Sequence, residues 1–337
     1  MKPIFKQLAL PIILGLALPG IAVGFLAKRN QESADLQTEE STEQTTTTVM
    51  ISKTEWVERK YEDTGIPVLI NQSKVQMIGL EDYLTGVLLA EIPASFDTEA
   101  LKAQAVVART YVLRRYLGEN KHLEASVCVE SGCCQGYITP EDYISNGGEE
   151  MNVEKMRLAV QQTAGSVLCY EGDLIDATYF SCSGGKTEDA VAVWGLDIPY
   201  LQSTESPGEE NAVNYEAETW YSVNELEELL NITIDTDSAA WIGTVTRTEG
   251  GGVANIDLCG QSWEGAELRK ALGLKSTNFD VEVSGNGLLF RTSGYGHRVG
   301  MSQYGADAMA KNGADYEQIL KHYYHGVQLD TADIPEN

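Results

Sequence analysis

The chain has 337 residues, 43% of them hydrophobic and 8% aromatic, and a formal net charge of −26. That is length and apolar content enough for one large domain or two small ones with a substantial core. The charge argues against a nucleic-acid partner, because nothing would neutralise phosphates, and against broad attraction to an anionic membrane surface; its plain consequence is solubility.

Leu8 to Ala27 is an uncharged apolar run of the length that crosses a bilayer. Lys2 and Lys6 precede it and Lys28 and Arg29 follow, so charge does not orient it. The run is long for a signal peptide and has no clear small-x-small cleavage site, so residues 1–29 read as an uncleaved anchor with the remainder outside the cytoplasm. Residues 30–64 are acidic and rich in Thr, a flexible tether, and the folded domain is expected over 65–337.

Ile66 to Leu80 looks like a hairpin turning at Asn71-Gln72-Ser73. Two helices follow. The first is apolar and ends in a lone acid, Glu91, just before Ile92-Pro93. The second starts after Asp97-Thr98, either of which can cap it. Leu101, Ala105, Ala108 and Val112 form its buried stripe, while Lys102, Gln104 and Arg109 form a polar face.

Lys121 to Gly148 is irregular and holds His122, Cys128, Cys133 and Cys134. Asn152 to Ala164 reads as a helix, and Ser166 to Phe180 as a hairpin turning at Glu171-Gly172-Asp173. A Gly-rich loop with Ser181, Ser183, Gly184, Gly185 and Lys186 comes next. Trp220 to Leu230 reads as a helix, Ile232 to Ile256 as β-rich, Leu268 to Leu272 as helical and Val281 to Arg291 as a strand pair. A second Gly-rich loop carries Tyr295 and His297 and leads into Gln303 and Tyr304, with helices over Gln303–Asn312 and Tyr316–Tyr324. There is no internal repeat, and helices flanking antiparallel hairpins predict an α+β fold.

Three chemistries suggest themselves. A single carboxyl at the end of an apolar helix, with Val87 to Ala90 and Ile92 around it, is a candidate acid/base whose pKa desolvation would raise. The alternative is an ordinary surface acid. The glycine loops and the tyrosines could hold a sugar by backbone N–H groups and ring stacking. A phosphate there would be repelled by Thr187-Glu188-Asp189. His122, Cys128, Cys133 and Cys134 supply a Cys₃His donor set adequate for structural zinc. The rival is a Cys128–Cys133 or Cys128–Cys134 disulfide; adjacent Cys133 and Cys134 do not bridge each other without distortion. Cys169, Cys182 and Cys259 read as small hydrophobes or a pair.

YLTGVLLAEIP, ALKAQAVVARTYVL, SGGKTED with VWG and PYL, and GYGHRVGMSQYGA, in this order from about Ile66 to Val327, resemble the stage II sporulation protein D family. The resemblance implies a membrane-anchored lytic transglycosylase acting on peptidoglycan during forespore engulfment. It implies Glu91 as the catalytic acid, the polar residues named above as substrate-binding, and a loop zinc in the register of His122, Cys128 and Cys134. It further implies glycan strands stripped of stem peptides, and a membrane complex with a cell-wall amidase and a scaffold protein. A non-catalytic peptidoglycan-binding module is the reading from another class. In one place the chain departs from the family pattern: Arg298 follows His297 where a glycine is usual, which would redirect the loop if Arg298 needs a negative φ.

Overall fold

The computed structural model describes residues 64–70, 74–118, 120–213, 215–235 and 238–332. The apolar run at 8–27, the tether up to residue 63 and the turn at 71–73 lie outside them. Among the described residues no helix is long and apolar enough to cross a membrane.

The predicted hairpin pairs β1 (Gly65–Ile70) with β2 (Lys74–Gly79), and β1 also pairs in parallel with β3 (Val127–Cys128). Between them run α1 (Leu80–Glu91) and α2 (Thr98–Leu117). α1 stops at Glu91 for a local reason. Pro93 excludes the helical conformation at the residue before it, and Ile92 is extended at φ −131° and ψ 138°. Asp97 caps α2 by accepting from the Glu99 N–H at 2.9 Å, and its own N–H donates to Asp307 at 2.8 Å.

α2 is buried nearly all round from Ala100 to Leu113, not along one stripe. It packs on α1, on α4 (Glu150–Gln162), on β4 (Ser166–Tyr170), and on α8 (Gln303–Lys311) and α9 (Tyr316–Tyr323). A short α3 (Pro140–Ser145), capped by Thr139, closes the cysteine loop. β4 lies between β5 (Asp173–Leu174) and β14 (Gln328–Thr331). β6 (Tyr179–Phe180) pairs in parallel with β13 (Met301–Ser302).

Between β6 and β13 the chain passes through α5 (Ala190–Trp194) and builds a second core. Sheet β11–β12–β7 comprises Phe279–Ser284, Gly287–Ser293 and Glu216–Ser222. Sheet β10–β9–β8 comprises Gln261–Glu264, Val253–Leu258 and Ile242–Arg247. α6 (Val223–Leu230) and α7 (Gly265–Leu272) complete it. The helix expected over Trp220–Leu230 is therefore half strand. Ser222 starts α6 with a capping box to Glu225, and Trp220 and Tyr221 pair with Leu289 and Leu288. The α+β class holds, with two parallel pairings added to the antiparallel hairpins.

Arg109 is wholly buried, so it is not part of a cleft-facing polar surface. Its guanidinium meets Glu81 of α1 at 3.2 Å and the α4-end carbonyls of Thr163 at 2.8 Å and Val160 at 3.0 Å. One side chain thus ties α2 to α1 and α4. Arg109→Ala leaves Glu81 and two carbonyls without these donors. It is expected to lower unfolding free energy by about 3–5 kcal/mol, read as a drop in the urea midpoint.

Candidate active site

Glu91 is half-buried at the C-terminal end of α1. The N–H of Gly136, in the cysteine loop, donates to its Oε1. The approach is so close that a Cβ on Gly136 would stand 2.8 Å from that oxygen and 3.5 Å from Ala90 Cβ. Burial raises the Glu91 pKa above the ordinary carboxylate range, and the Gly136 bond offsets part of the rise. No other group figures in the shift, so no neighbouring charge governs this carboxyl.

Three further side chains build the floor around it. The Tyr83 hydroxyl donates to Gln135 Oε1 at 3.3 Å, and Gln135 Nε2 donates to the Tyr179 hydroxyl at 3.5 Å. Tyr83 and Gln135 are wholly buried, and Tyr137 stacks on Tyr83 at 5.5 Å. Burial pushes the phenols of Tyr83 and Tyr179 well up, with the nearby Glu91 charge adding to the rise. The sequence analysis did not select Tyr83, Gln135 or Tyr179. The Gln135-Gly136 pair right after Cys134 was the available signal.

The cysteine loop closes on itself. The ligand atoms of His122, Cys128, Cys133 and Cys134 all lie within 4.8 Å of one another. His122 Nε2 is 3.3 Å from Cys134 Sγ and 3.9 Å from Cys133 Sγ, and the two sulfurs are 3.9 Å apart. Tetrahedral zinc with ordinary bond lengths sets its ligand atoms about 3.4–3.8 Å apart, so this donor set fits the metal after slight contraction. All six cysteines are free thiols, and neither alternative disulfide is formed. Cys134, Gln135 and Gly136 are consecutive, so the donor cluster and the clamp on Glu91 belong to one segment.

The other predicted residues divide. Lys102 pairs with Glu99 at 2.7 Å, and Glu99 also accepts from the Tyr316 N–H at the start of α9. Gln104 is wholly buried and accepts from Gln303 Nε2 at 3.4 Å, leaving its own Nε2 without a partner. Tyr304 meets Phe96 edge-on at 4.9 Å, and its N–H donates to the Ser181 carbonyl. The Ser-Gly-Gly loop points its donors inward. The Ser183 N–H and hydroxyl and the Gly184 N–H all donate to the buried carboxylate of Glu209, at 2.6, 2.9 and 3.2 Å. The N–H of Gly185 donates to the Ser183 hydroxyl at 3.0 Å. Glu209 thus occupies the nest expected for a ligand, because a short Gly-rich turn satisfies an internal anion as readily as an external one. Gly184, at φ 76°, is required because a Cβ there would meet Ser293 and Gly294 backbone.

His297 is half-buried. Its Nδ1 accepts from the Val299 N–H at 3.1 Å, and its ring bonds to the Tyr179 backbone. Burial, and secondarily Arg269, pushes its pKa down to about 4, so it is neutral near pH 7. Its ring is flanked by Phe180 at 5.6 Å and Trp194 at 5.4 Å. Tyr295 beside it is 39% exposed.

Arg298 adopts φ 66°, the left-handed region a glycine would take, so the loop is not redirected. Its fully buried guanidinium overcomes the local strain. It reaches Glu188 at 3.1 Å and the carbonyls of Ser183, Lys186 and Gly250 at 2.6, 2.8 and 2.7 Å. Glu188 also accepts from Thr248 and from Gly252 N–H of the second core.

Comparison with known proteins agrees with this arrangement. The family model described as stage II sporulation protein matches residues 71–170. The chain is 38% identical to stage II sporulation protein D of Bacillus subtilis over 282 residues, 81% of each chain. It is 34% identical to stage II sporulation protein D of Bacillus amyloliquefaciens over 99% of this chain and 97% of that one. It is also 30% identical to a B. subtilis protein named amidase enhancer, over 73% of this chain and 40% of that one. An acid fixed at the end of α1, inside the matched segment, and likeness running through most of the chain make this protein a member of the stage II sporulation protein D family.

Proposed function

We propose that this protein is a peptidoglycan lytic transglycosylase acting in forespore engulfment. The observation that carries the reading is Glu91: one desolvated carboxyl, held by one backbone N–H, with no second carboxylate perturbing it. Hydrolysis of a glycosidic bond ordinarily uses two carboxyl groups. Intramolecular cleavage of the muramic acid–glucosamine bond needs only one. Protonated Glu91 gives its proton to the leaving glycosidic oxygen as the bond from C1 breaks. The resulting carboxylate then takes the C6 hydroxyl proton as O6 closes on C1, leaving a 1,6-anhydro end.

Desolvation favours the acid form that starts the cycle, and the Gly136 N–H stabilises the carboxylate that the second half requires. The hydrogen-bonded row Tyr83–Gln135–Tyr179 keeps the floor fixed. In this reading His122, Cys128, Cys133 and Cys134 hold a structural zinc, which would order the loop carrying Gln135 and Gly136. The apolar run at 8–27 anchors the protein, with the catalytic domain outside the cytoplasm. The substrate is a glycan strand without stem peptides. Likeness to a protein named amidase enhancer supports a partnership with a cell-wall amidase, within a complex that includes a membrane scaffold.

Glu91→Gln is expected to lower the yield of 1,6-anhydromuramic ends from glycan strands about 10²–10⁴-fold with an unchanged circular dichroism spectrum, read by mass spectrometry. A non-catalytic glycan-binding module would release no such ends in either form, and a hydrolase would release reducing ends. For the wild type, kcat/KM should fall as pH rises through the elevated Glu91 pKa, because only the protonated form can start the reaction. Gly136→Ala pushes a methyl group against Oε1 and should cut kcat roughly 10–100-fold by misplacing the acid, with less effect on KM. Metal analysis of purified protein should find one zinc per chain, and Cys134→Ser should reduce that content sharply.

A further inference from the structure

The rim around Tyr295 carries two cations that the fold does not use. Arg269, near the end of α7, is half-buried; its Nε donates to the Leu274 carbonyl at 3.3 Å. Its two Nη groups have no acceptor among the described residues, and neither is a buried unsatisfied atom, so the fork opens to solvent. Lys275 is half-buried, with Nζ 4.8 Å from the centre of the Tyr295 ring. Neither cation has a carboxylate partner among the described residues, although the chain carries 50 acidic residues against 24 Lys and Arg. Elsewhere the fold's partly buried cations find carboxylates: Arg109 has Glu81, Arg115 has Asp176 and Arg298 has Glu188.

Burial without a counter-ion is costly, and it pushes the Arg269 pKa down. The fold accepts that cost at a specific place. Arg269 lies close enough to act electrostatically on both His297 and Tyr295. The Lys275 carbonyl accepts from the Gly296 N–H at 3.1 Å. The two cations therefore border the His297 loop. His297 bonds the backbone of Tyr179, whose phenol shares the floor with Glu91. The rim is thus continuous with the candidate active site by one tyrosine's length.

We infer that Arg269 and Lys275, with the face of Tyr295, form an anion subsite that binds the free lactyl carboxylate of a muramic acid residue in a peptide-free strand. This rests on the reading of the substrate proposed above. On a glycan strand the lactyl ether is the acidic group of the sugar itself. It is an amide while a stem peptide is attached and a carboxylate once that amide has been hydrolysed. A guanidinium fork matches a carboxylate bidentately, and Lys275 adds a point charge. A polyanionic strand approaching a chain of net charge −26 also needs local cations to offset general repulsion. The reaction supplying the substrate is thereby an amide hydrolysis, and the subsite would make cleavage follow it.

The test uses the full-length Glu91→Gln protein, so that binding is read whether or not the wild type cleaves. Three strand preparations are compared: with free lactyl carboxylates, with those carboxylates converted to methylamides, and with intact stem peptides. The free acid should bind roughly tenfold or more tightly than the methylamide, as for one charge-assisted contact, and the difference should shrink as salt rises. Strands bearing stem peptides should bind no better than the methylamide; tighter binding to them assigns the subsite to peptide carboxylates and overturns the proposal. Arg269→Gln and Lys275→Gln should each erase most of the preference, and Arg269→Lys should restore part of it. Equal binding of acid and methylamide, or a preference that survives both glutamine variants, also overturns the proposal. Failure to form anhydro ends in the wild type sinks the enzymatic reading instead and leaves this binding result standing.

Discussion

A carboxyl group withdrawn from water is tolerated only where something stabilises its charged form or where it stays protonated. At Glu91 both hold in part. Burial raises its pKa, and a single backbone donor, Gly136 N–H, moderates the rise. The fold is arranged around keeping that contact. α1 must end where it does, which Pro93 enforces through the extended Ile92. The loop bearing Gly136 must return to the end of α1 from 45 residues further along the chain. It is fixed on one side by the Tyr83–Gln135–Tyr179 row and on the other by the packed histidine and cysteines.

Two buried arginines set the frame in which this is possible. Arg109 locks the helices of the first core by meeting Glu81 and the end of α4. Arg298 and Glu188 join the loop at Ser183 to the loop at Gly250–Gly252, so the second core is attached by a desolvated ion pair with carbonyls around it. Such pairs add little net stability over apolar packing, but loss of one member leaves an uncompensated charge. They fix position, which is what a site assembled from distant segments requires. The pair also explains how a non-glycine residue occupies φ 66°.

Much of the architecture was legible in local patterns. The β1–β2 hairpin, α1, α2, the Asp97 cap, the β11–β12 pair and the last two helices follow from periodicity, capping residues and turn chemistry. Trp220–Leu230 was misread because a strand runs directly into a helix there, and the boundary lies in the capping box at Ser222 and Glu225. Arg109 and Gln104 were misread as a polar cleft face because helical spacing gives the angle of a side chain but not what lies opposite it. α2 is surrounded on all sides, so its polar residues are interior. The glycines of the Ser183 loop were read correctly as a place where N–H groups converge. That Glu209, some 25 residues on, would fill it has no local signature.

Sequence alone determined the candidate acid, the helix that ends on it, the donor set of the cysteine loop and the family, because each rests on residue identity and short spacing. Tertiary structure alone decided which N–H holds Glu91, which polar residues are interior braces and which cations remain without partners on the rim. The physical reason is the same in each case. Burial and hydrogen-bond partnership are properties of the space between segments, and here those segments lie dozens to more than a hundred residues apart.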